Sequence, residues 1–573
     1  MRLATRVAML LAALAAPACN TPRGGTATPT SKTGTVTLTV IGTNDLHGHL
    51  EALPRFAGYM KLIRAARAAD GGGVLLLDGG DMFQGTLASN LGEGDGVVDG
   101  YRALGYDAVT IGNHEFDFGP LGPLSVPKSP TDDAQGALKA RAKDAGFPFL
   151  MANVVDAKTG AIPAWDNVTP TVLKEVAGVK VGLIGITTES TPMTTMGANF
   201  RGLAMRPLAD VVRTRAAELR SAGATVVIVL AHAGAECPGD GAGDPKDLTG
   251  CTLDDEVFAL AEAIAGGGSS GSAGRGAAGP LVDAMVAGHT HAPVAKLAHG
   301  IAIIESWSYG RGFGRVDLTV DRATGTVTTA HVHDAFTMCT KKEDPCVLRP
   351  YEGHEVVPDP AIDAVLAPHL TKAKAQEEEP IGVTFSAPIK RAHRTESALG
   401  NLFTDLMLGS IPGAEIAITN GGGLRADLPA GPLTYGALFE ASPFDNRFAV
   451  APQTGAQIAQ MFVDVLGRDG GFVSVAGVYV KARCDGKQLA VDLTRPDGKP
   501  VKPTDTLTLI TNEFLAGGGD GRFHGTKFEL RDLLIREEMA DRLRERKGST
   551  ITPESLLKPR RVEYKGDRPV RCE

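Results

Sequence analysis

Short apolar runs recur along the first half of the chain, and they constrain its fold more than any other feature. Each run is long enough for one buried strand, and helix-like stretches separate successive runs. The runs are Val36–Ile41, Val74–Leu77, Ala108–Ile111, Val181–Ile186, Val226–Leu230 and Val282–Ala287. This alternation predicts an α/β domain with largely buried strands.

A second mixed α/β domain is predicted for the last third of the chain. The segment from Pro358 to Pro380 is polar and helix-prone, which is typical of a helical linker. The predicted divisions are a first domain over 35–357, a linker over 358–380 and a second domain over 381–573. Within the second domain we predict a helix over Leu399–Leu408 and strands near Glu415–Thr419 and Thr506–Thr511. The glycine-rich segment from Gly266 to Gly279 is predicted to be a flexible surface loop.

The N-terminus has the features of an export signal. In residues 1–18, Arg2 and Arg6 precede an apolar run that is shorter than the roughly 20 residues needed to span a bilayer. Residues 19–34 are predicted to form a polar tether. Cys19 follows the predicted cleavage site and resembles a bacterial lipoprotein box, so the mature protein is either soluble or lipid-anchored through Cys19. We expect a periplasmic or cell-surface protein whose one membrane contact would be this anchor.

The cysteines also favour an exported protein. Short spacing pairs Cys237 with Cys251 and Cys339 with Cys346, and the remaining pair is Cys484 with Cys572. Three disulfides suit an oxidising compartment. The alternative of a zinc site has no support from a Cys-x-x-Cys motif, because the sequence contains none.

The charge balance argues against some partners. The chain has 66 acidic and 58 basic residues, a formal net charge of -8. This balance argues against a surface that binds a nucleic-acid polymer or coats a membrane. An anionic substrate must therefore be attracted by a local site.

Polar clusters follow the predicted strands of the first domain. Because ligand sites in open α/β sheets lie beyond the carboxyl ends of the strands, we expect these clusters to converge. The pairs Asp45/His47 and His289/His291 have i, i+2 spacing, and both members of such a pair point to one side of an extended backbone. We therefore expect each pair to bind one metal ion.

The composition of the clusters predicts two divalent ions. Carboxylate, imidazole and amide ligands together favour Zn, Mn, Co or Fe(II) over calcium. The candidate ligands are Asp45, His47, Asp81, Asn113, His232, His289 and His291. These seven exceed the four ligands of a tetrahedral site, so we predict two ions with Asp81 as the bridge. Each residue has a structural alternative when taken singly, such as a strand cap for Asp45, but their joint occurrence favours metal binding. His331 and His333 have similar spacing but are interpreted as surface residues.

Four motifs carry a family resemblance. Asn-Asp-Leu-His-Gly, Gly-Asp, Gly-Asn-His-Glu-Phe-Asp and Gly-His-Thr-His occur in this order and resemble those of the calcineurin-like metallophosphoesterases, specifically their exported 5′-nucleotidase branch. The resemblance implies a four-layer α/β/β/α sandwich that carries two metals. It also implies that His114 is not a ligand but forms a catalytic dyad with Asp117. An imidazole in this place can protonate a departing alkoxide, and a nearby carboxylate can fix its tautomer.

Glycine-rich and polar loops of the second domain point to a nucleotide. Three glycines follow Asn420 and let the backbone approach a ligand, and Arg425 can bind phosphate oxygens through two hydrogen bonds. The loops resemble the family's C-terminal nucleotidase domain. This resemblance implies substrate contacts by Asn420, Arg425, Phe444, Asn446, Phe514 and Asp520, with the two phenylalanines stacking on the base and Asp520 at the ribose.

The family also has a phosphate-contacting arginine before the predicted helix Leu399–Leu408. Arg394 is the best match, Arg391 is the other candidate, and His393 stands where some members carry arginine.

Together these features predict an exported dimetal phosphohydrolase that cleaves nucleoside 5′-monophosphates, with UDP-sugars and dinucleotides as further candidate substrates. The resemblance implies that the second domain swings its substrate to the metals, with 358–380 or its C-terminal end as the hinge. One alternative is a 2′,3′-cyclic nucleotide phosphodiesterase or a sulfur-oxidation hydrolase on the same scaffold. Another is a nucleoside-binding surface lipoprotein without activity. Metal identity, base preference and oligomeric state stay open.

Overall fold

The computed structural model of the chain describes residues 34–266, 280–340, 346–523 and 525–572. The predicted signal peptide and Cys19 lie outside these residues, as does the predicted loop Gly266–Gly279 apart from Gly266, which ends a helix. Among the helices that are described, none is long and apolar enough to cross a membrane.

Two sheets face each other in the first domain. In order across the first sheet, the strands are Thr326–Val332, Gly312–Asp321, Thr35–Thr43, Gly73–Asp78, Ala108–Thr110, Phe149–Leu150 and Val168–Thr169, with Phe336–Thr337 paired to Gly312–Asp321. The second sheet has the order Pro293–Ala298, Ile301–Ser306, Ala284–Ala287, Val226–His232, Val179–Thr187 and Thr171–Val176. Each of the six predicted strands is present, with bounds that differ by a few residues at most.

The predicted four-layer α/β/β/α sandwich is confirmed. Leu38 and Val40 of the first sheet share a buried core with Leu183 and Ile228 of the second. Gly42 permits this close approach, because a Cβ there would lie 2.7 Å from Val286 Cγ1. The helices Leu53–Asp70, Leu87–Asn90, Asp95–Leu104 and Gly136–Asp144 belong to the apolar core on the outer side of the first sheet. The helices Leu208–Ser221 and Glu256–Gly266 cover the second sheet.

A helix over Pro360–Glu377 occupies most of the predicted linker. The Asp359 side chain caps its N-terminus by accepting a hydrogen bond from the Ala361 N–H. His369, near the middle of the helix, lies between two carboxylates of the first domain, with Nδ1 3.3 Å from Asp95 and Nε2 3.0 Å from Asp99. These contacts attach the linker helix to the first domain.

The second domain is also mixed α/β. Its central sheet has the strand order Val473–Ala476, Ile416–Asn420, Thr506–Asn512, Arg447–Thr454 and Glu529–Leu534. Smaller sheets join Gly431–Thr434, Pro380–Phe385 and Thr550–Ile551, and join Gln488–Thr494, Tyr479–Asp485 and Val562–Glu563. The helices are Ala398–Ser410, Tyr435–Ala441, Gly455–Gly467, Glu513–Ala516, Ile535–Arg544 and Pro553–Leu557. The helix and both strands predicted here are therefore present.

The three predicted disulfides are all formed. They join Cys237 to Cys251, Cys339 to Cys346 and Cys484 to Cys572.

Candidate metal centre and substrate cavity

The polar clusters that carry the seven candidate ligands converge at one end of the two sheets. Thr35–Thr43 pairs in parallel with Gly73–Asp78, which in turn pairs in parallel with Ala108–Thr110. In the facing sheet, Val226–His232 and Ala284–Ala287 are also parallel neighbours. The carboxyl ends of parallel strands lie at the same edge, so the loops that follow them meet there, as the sequence predicts.

Asp45, His47 and His291 form the first group of candidate ligands. His47 Nε2 lies 3.1 Å from His291 Nε2 and 3.9 Å from Asp45 Oδ1. His47 Nδ1 donates to the Gln84 carbonyl at 2.6 Å, which leaves the lone pair of Nε2 directed into the group. Asp45 Oδ1 is buried and has no hydrogen bond of regular geometry, although His291 Nε2 is 3.2 Å away.

Asp81, His232 and His289 form the second group. His232 Nε2 is 3.0 Å from Asp81 Oδ2 and 3.0 Å from Asn113 Oδ1, so Asn113 belongs to this group as well. Asp81 Oδ2 also lies 4.0 Å from His47 Nε2 of the first group. Asp81 is therefore the carboxylate between the two groups.

The backbone at these residues corrects one expectation. Asp45, His47, His289 and His291 all have positive φ, between 49° and 85°, so neither i, i+2 pair is in extended conformation. Asp45 and His47 still share a group, but His289 and His291 separate into different groups. The expectation that the second pair binds a single ion is wrong for this reason.

The donors in both groups fit divalent cations. Burial, and then the charge of Arg425, hold the pKa of His47 well below its usual value, so its imidazole is neutral and can be a ligand. Burial lowers the pKa of His232, but Asp81 outweighs this effect and raises it to about 10. The negative field that holds a proton on His232 would equally hold a metal ion in its place. An unpaired buried carboxylate oxygen on Asp45, imidazoles and an amide oxygen make up a set that suits Zn, Mn, Co or Fe(II).

His114 and Asp117 lie beside the metal groups. His114 Nδ1 donates to Asp117 Oδ2 at 2.5 Å, and His114 Nε2 lies 4.0 Å from Asp81 Oδ2. Burial lowers the pKa of His114, but the Asp117 and Asp81 carboxylates outweigh it, and the pKa is raised. The dyad geometry leaves Nε2 as the nitrogen that can transfer a proton.

Two buried glutamates that the sequence analysis did not single out hold the ligand loops in place. Glu115 accepts backbone hydrogen bonds from Asp81 at 2.9 Å and from Gly112 at 2.7 Å, and so joins two ligand loops. Glu305 accepts from Thr290 Oγ1 at 2.7 Å, between His289 and His291. Burial raises the pKa of each glutamate to about 8. Glu115 lies within a recognisable motif, but Glu305 lies in an apolar strand without any signal.

A cavity of about 450 Å³ lies between the two domains and reaches the metal groups. The predicted site residues that line it are Asp81, Asn113, His114, Asp117, His289, His291, Asn420, Arg425, Phe444, Asn446, Phe514 and Asp520. The other three metal candidates, Asp45, His47 and His232, are buried behind it. Two sets of predicted residues from different domains thus face one space.

Second-domain residues form the far wall of the cavity and approach the metal groups. Arg425 Nη2 donates to His47 Nε2 at 3.2 Å, and the Phe444 ring lies 5.4 Å from the His114 ring. Farther out, Asn420 Nδ2 donates to Asp520 Oδ2 at 3.0 Å. The Phe514 N–H donates to Asn446 Oδ1 at 3.1 Å.

Arg394 is the predicted site residue that the structure does not bring to the cavity. Its guanidinium lies 3.5 Å from Glu236 and 3.7 Å from Asp469, and its side chain is 57% exposed. Arg391 and His393 line the cavity instead. Glu236 also lines the cavity, so Arg394 lies at the rim beside it rather than in the cavity wall.

Two family sequence models match the chain. The model described as calcineurin-like phosphoesterase matches residues 38–293. The model described as 5′-nucleotidase, C-terminal domain, matches residues 373–527. The first match covers the loops of the metal groups, and the second covers the loops of the far cavity wall.

Known proteins resemble the chain over most of its length. Protein UshA of Yersinia enterocolitica is 28% identical over 531 residues, which cover 87% of this chain and 88% of that protein. The trifunctional nucleotide phosphoesterase protein YfkN of Bacillus subtilis is 29% identical and covers 86% of this chain, but the chain spans only 32% of YfkN. The crystal structure of a 5′-nucleotidase precursor from Thermus thermophilus has a TM-score of 0.69 and 25% identity, covering 90% of this chain and 97% of that one.

Proposed function

Because the chain belongs to the calcineurin-like phosphoesterases that carry a 5′-nucleotidase C-terminal domain, we propose that it hydrolyses nucleoside 5′-monophosphates to nucleoside and phosphate. The observation that carries this proposal is the single cavity that contains Asp81 and His114 on one side and Phe444, Phe514 and Asp520 on the other. A phosphate at the first side and a nucleoside at the second are the two halves of one such substrate.

Two divalent ions would be held by the seven candidate ligands, with Asp81 between them. Bound there, the ions supply Lewis-acid polarisation of the phosphoryl group and a lowered pKa of the attacking water. The protein supplies the ligand geometry through Gln84, whose carbonyl orients His47, and through Glu115, which fixes the Asp81 loop.

His114 is assigned the role of general acid. Asp117 binds its Nδ1–H, so Nε2 faces the cavity and can give a proton to the leaving 5′-oxygen. Burial lowers the pKa of His114, but the Asp117 and Asp81 carboxylates outweigh it and favour the imidazolium form. A ribose alkoxide is a poor leaving group, so this proton has its largest effect on a nucleotide substrate.

The second domain is assigned substrate recognition. Arg425, and Arg391 rather than Arg394, supply positive charge for the phosphate. Phe444 and Phe514 stack on the base, and Asp520, oriented by Asn420, accepts from the ribose hydroxyls. Stacking tolerates different bases and leaves UDP-sugars and dinucleotides as further substrates.

We propose that the domains separate when product is released. Gln84 Nε2 of the first domain donates to the Pro443 carbonyl of the second at 2.9 Å, beside Phe444, and closes the cavity on that side. Because His369 attaches the linker helix to the first domain, we assign the hinge to the C-terminal end of 358–380.

We also propose that the protein is exported. The features of residues 1–18 and three disulfides support this location. Anchoring through Cys19 is tested by metabolic labelling with a fatty acid, which marks the wild-type chain and not Cys19→Ser if the anchor exists.

The test of the activity is phosphate release from AMP, UDP-glucose, 2′,3′-cyclic AMP and p-nitrophenyl phosphate, with Mn or Zn and with a chelator. We expect metal-dependent turnover of AMP that Asp81→Ala abolishes. Cyclic AMP turnover in place of AMP would identify the cyclic phosphodiesterase instead. Nucleoside binding with no turnover of any substrate would identify the binding protein.

A further inference from the structure

The loop formed by residues 191–199 lies outside all the predicted motifs. It binds the second oxygen of the Asp117 carboxylate. Thr195 Oγ1 donates to Asp117 Oδ1 at 2.8 Å, and the Met196 N–H approaches the same oxygen at 3.3 Å. The other oxygen, Oδ2, accepts from His114. Thr195 is buried, with 2% of its surface exposed. The carboxylate is therefore fixed on both of its oxygens.

The same loop also holds the main chain around the dyad. Asn199 Nδ2 donates to the Asp117 carbonyl at 3.0 Å. Asn113, the neighbour of His114, donates from Nδ2 to the Thr194 carbonyl at 3.1 Å. The loop thus forms hydrogen bonds with the carbonyl and the carboxylate of Asp117, and also with Asn113.

The loop faces the nucleoside side of the cavity as well. Thr194, Thr195 and Met196 line the cavity. The short helix Thr191–Thr194 contacts the turn Gly519–Gly521, which carries Asp520. The segment that holds Asp117 therefore also contacts the second domain.

We propose that Thr195 is a positioning residue, which fixes Asp117 and through it the direction of the His114 Nε2–H bond toward the leaving oxygen. The inference rests on the proposed function. In that reaction a water oxygen bonds to phosphorus and one water proton passes to solvent. The phosphorus–O5′ bond breaks with its electron pair on O5′, which takes the His114 proton, and the imidazole regains a proton from solvent. Thr195 acts on the protonation of O5′ and not on the bond to phosphorus.

The test uses leaving groups of different basicity. Thr195→Val removes the hydroxyl and keeps the shape of the side chain, so we expect kcat for AMP and for phenyl phosphate to fall about 10- to 100-fold with little change in KM. p-Nitrophenolate leaves without protonation, so kcat for p-nitrophenyl phosphate should fall less than about threefold. Thr195→Ser, which restores the donor, should recover most of the AMP activity.

Thr191→Val is the matched control. It removes a buried hydroxyl from the same loop whose partner is the Thr188 carbonyl and not Asp117. We expect it to leave the ratio of AMP to p-nitrophenyl phosphate turnover unchanged. Metal content and melting temperature are measured for every variant, and Thr195→Val should keep two ions per chain.

Equal losses for all three substrates in Thr195→Val, or no loss for AMP, would overturn the assignment of Thr195. Failure of the wild-type protein to hydrolyse AMP would overturn the proposed function instead. In that case the role of Thr195 is still decided by comparing the losses of kcat for phenyl phosphate and p-nitrophenyl phosphate, because neither substrate contains a nucleoside.

Discussion

Phe514→Ala tests the nucleoside half of the site without disturbing the metal half. The Phe514 side chain lines the cavity, is half-buried, and has its N–H bound to Asn446 in the same domain. Gly519 lies against its ring, since a Cβ there would be 2.5 Å from the Phe514 Cε1 atom. Phe444 is less suitable for this purpose, because its ring contacts His114 and its loss would also alter the dyad.

The expected loss of kcat/KM follows from removing the one aromatic ring that Phe514 would stack on the base. Base–aromatic stacking contributes about 1–3 kcal/mol per base. Removal of the Phe514 ring should therefore lower kcat/KM for AMP by about 5- to 150-fold, mainly through KM. Ribose 5-phosphate has the same phosphate and sugar but no base, so its kcat/KM should change less than about threefold.

Phe528→Ala is the control for loss of packing. Phe528 is half-buried in the same apolar cluster as Phe514 but is absent from the cavity wall. We expect both variants to melt at lower temperature and only Phe514→Ala to lose AMP selectivity. Equal effects of Phe514→Ala on AMP and ribose 5-phosphate would refute the stacking role.

Three further outcomes are expected. Asp45→Ala should reduce the metal content from two ions to one per chain, measured by mass spectrometry of the metals, because Asp45 belongs to one group alone. Burial raises the pKa of Asp78 to about 7, so the stability contributed by this carboxyl should be lost as pH rises from about 4 to 7; the difference in unfolding free energy between Asp78→Asn and wild type should therefore shift in favour of the variant by up to about 4 kcal/mol over that range, measured by unfolding at each pH. Loss of the Cys484–Cys572 bridge, which closes a separation of 88 residues, should lower the free energy of unfolding by up to about 4–5 kcal/mol in guanidinium titrations of the double serine variant.

The fold and the meeting of the ligand loops could be predicted because both follow from strand order. Apolar runs such as Val226–Leu230 mark buried strands, and polar residues at their carboxyl ends must share one edge of the sheet. The division of ligands between ions could not be predicted in this way. His289 and His291 separate because their backbone is left-handed, and no spacing rule contains that information.

Contacts between distant residues limited the prediction of the substrate side. Arg391 and Arg394 are equally basic and only three positions apart, but only Arg391 lines the cavity, whereas Arg394 pairs with Glu236 and Asp469. Glu305 lies in an apolar strand, and Thr195 is one of several threonines in its segment, so neither stands out in the sequence. Their importance comes from what they contact, and sequence patterns describe neighbours along the chain rather than across it.

The left-handed ligand residues show how the fold maintains a conformation that costs energy. A non-glycine residue with positive φ costs about 1–3 kcal/mol. The Asp45 and His47 N–H groups donate to the carbonyls of Gly80 and Asp81 at 2.9 and 3.0 Å, so the two ligand loops form a short ladder. Glu115 accepts the N–H of Asp81 from the other side. At about 0.5–1.5 kcal/mol each, these bonds offset part of that cost. Because Glu115 holds the Asp81 loop and that loop accepts the N–H groups of Asp45 and His47, disturbing Glu115 should displace ligands of both metal groups, whereas removing Asp45 should affect one group.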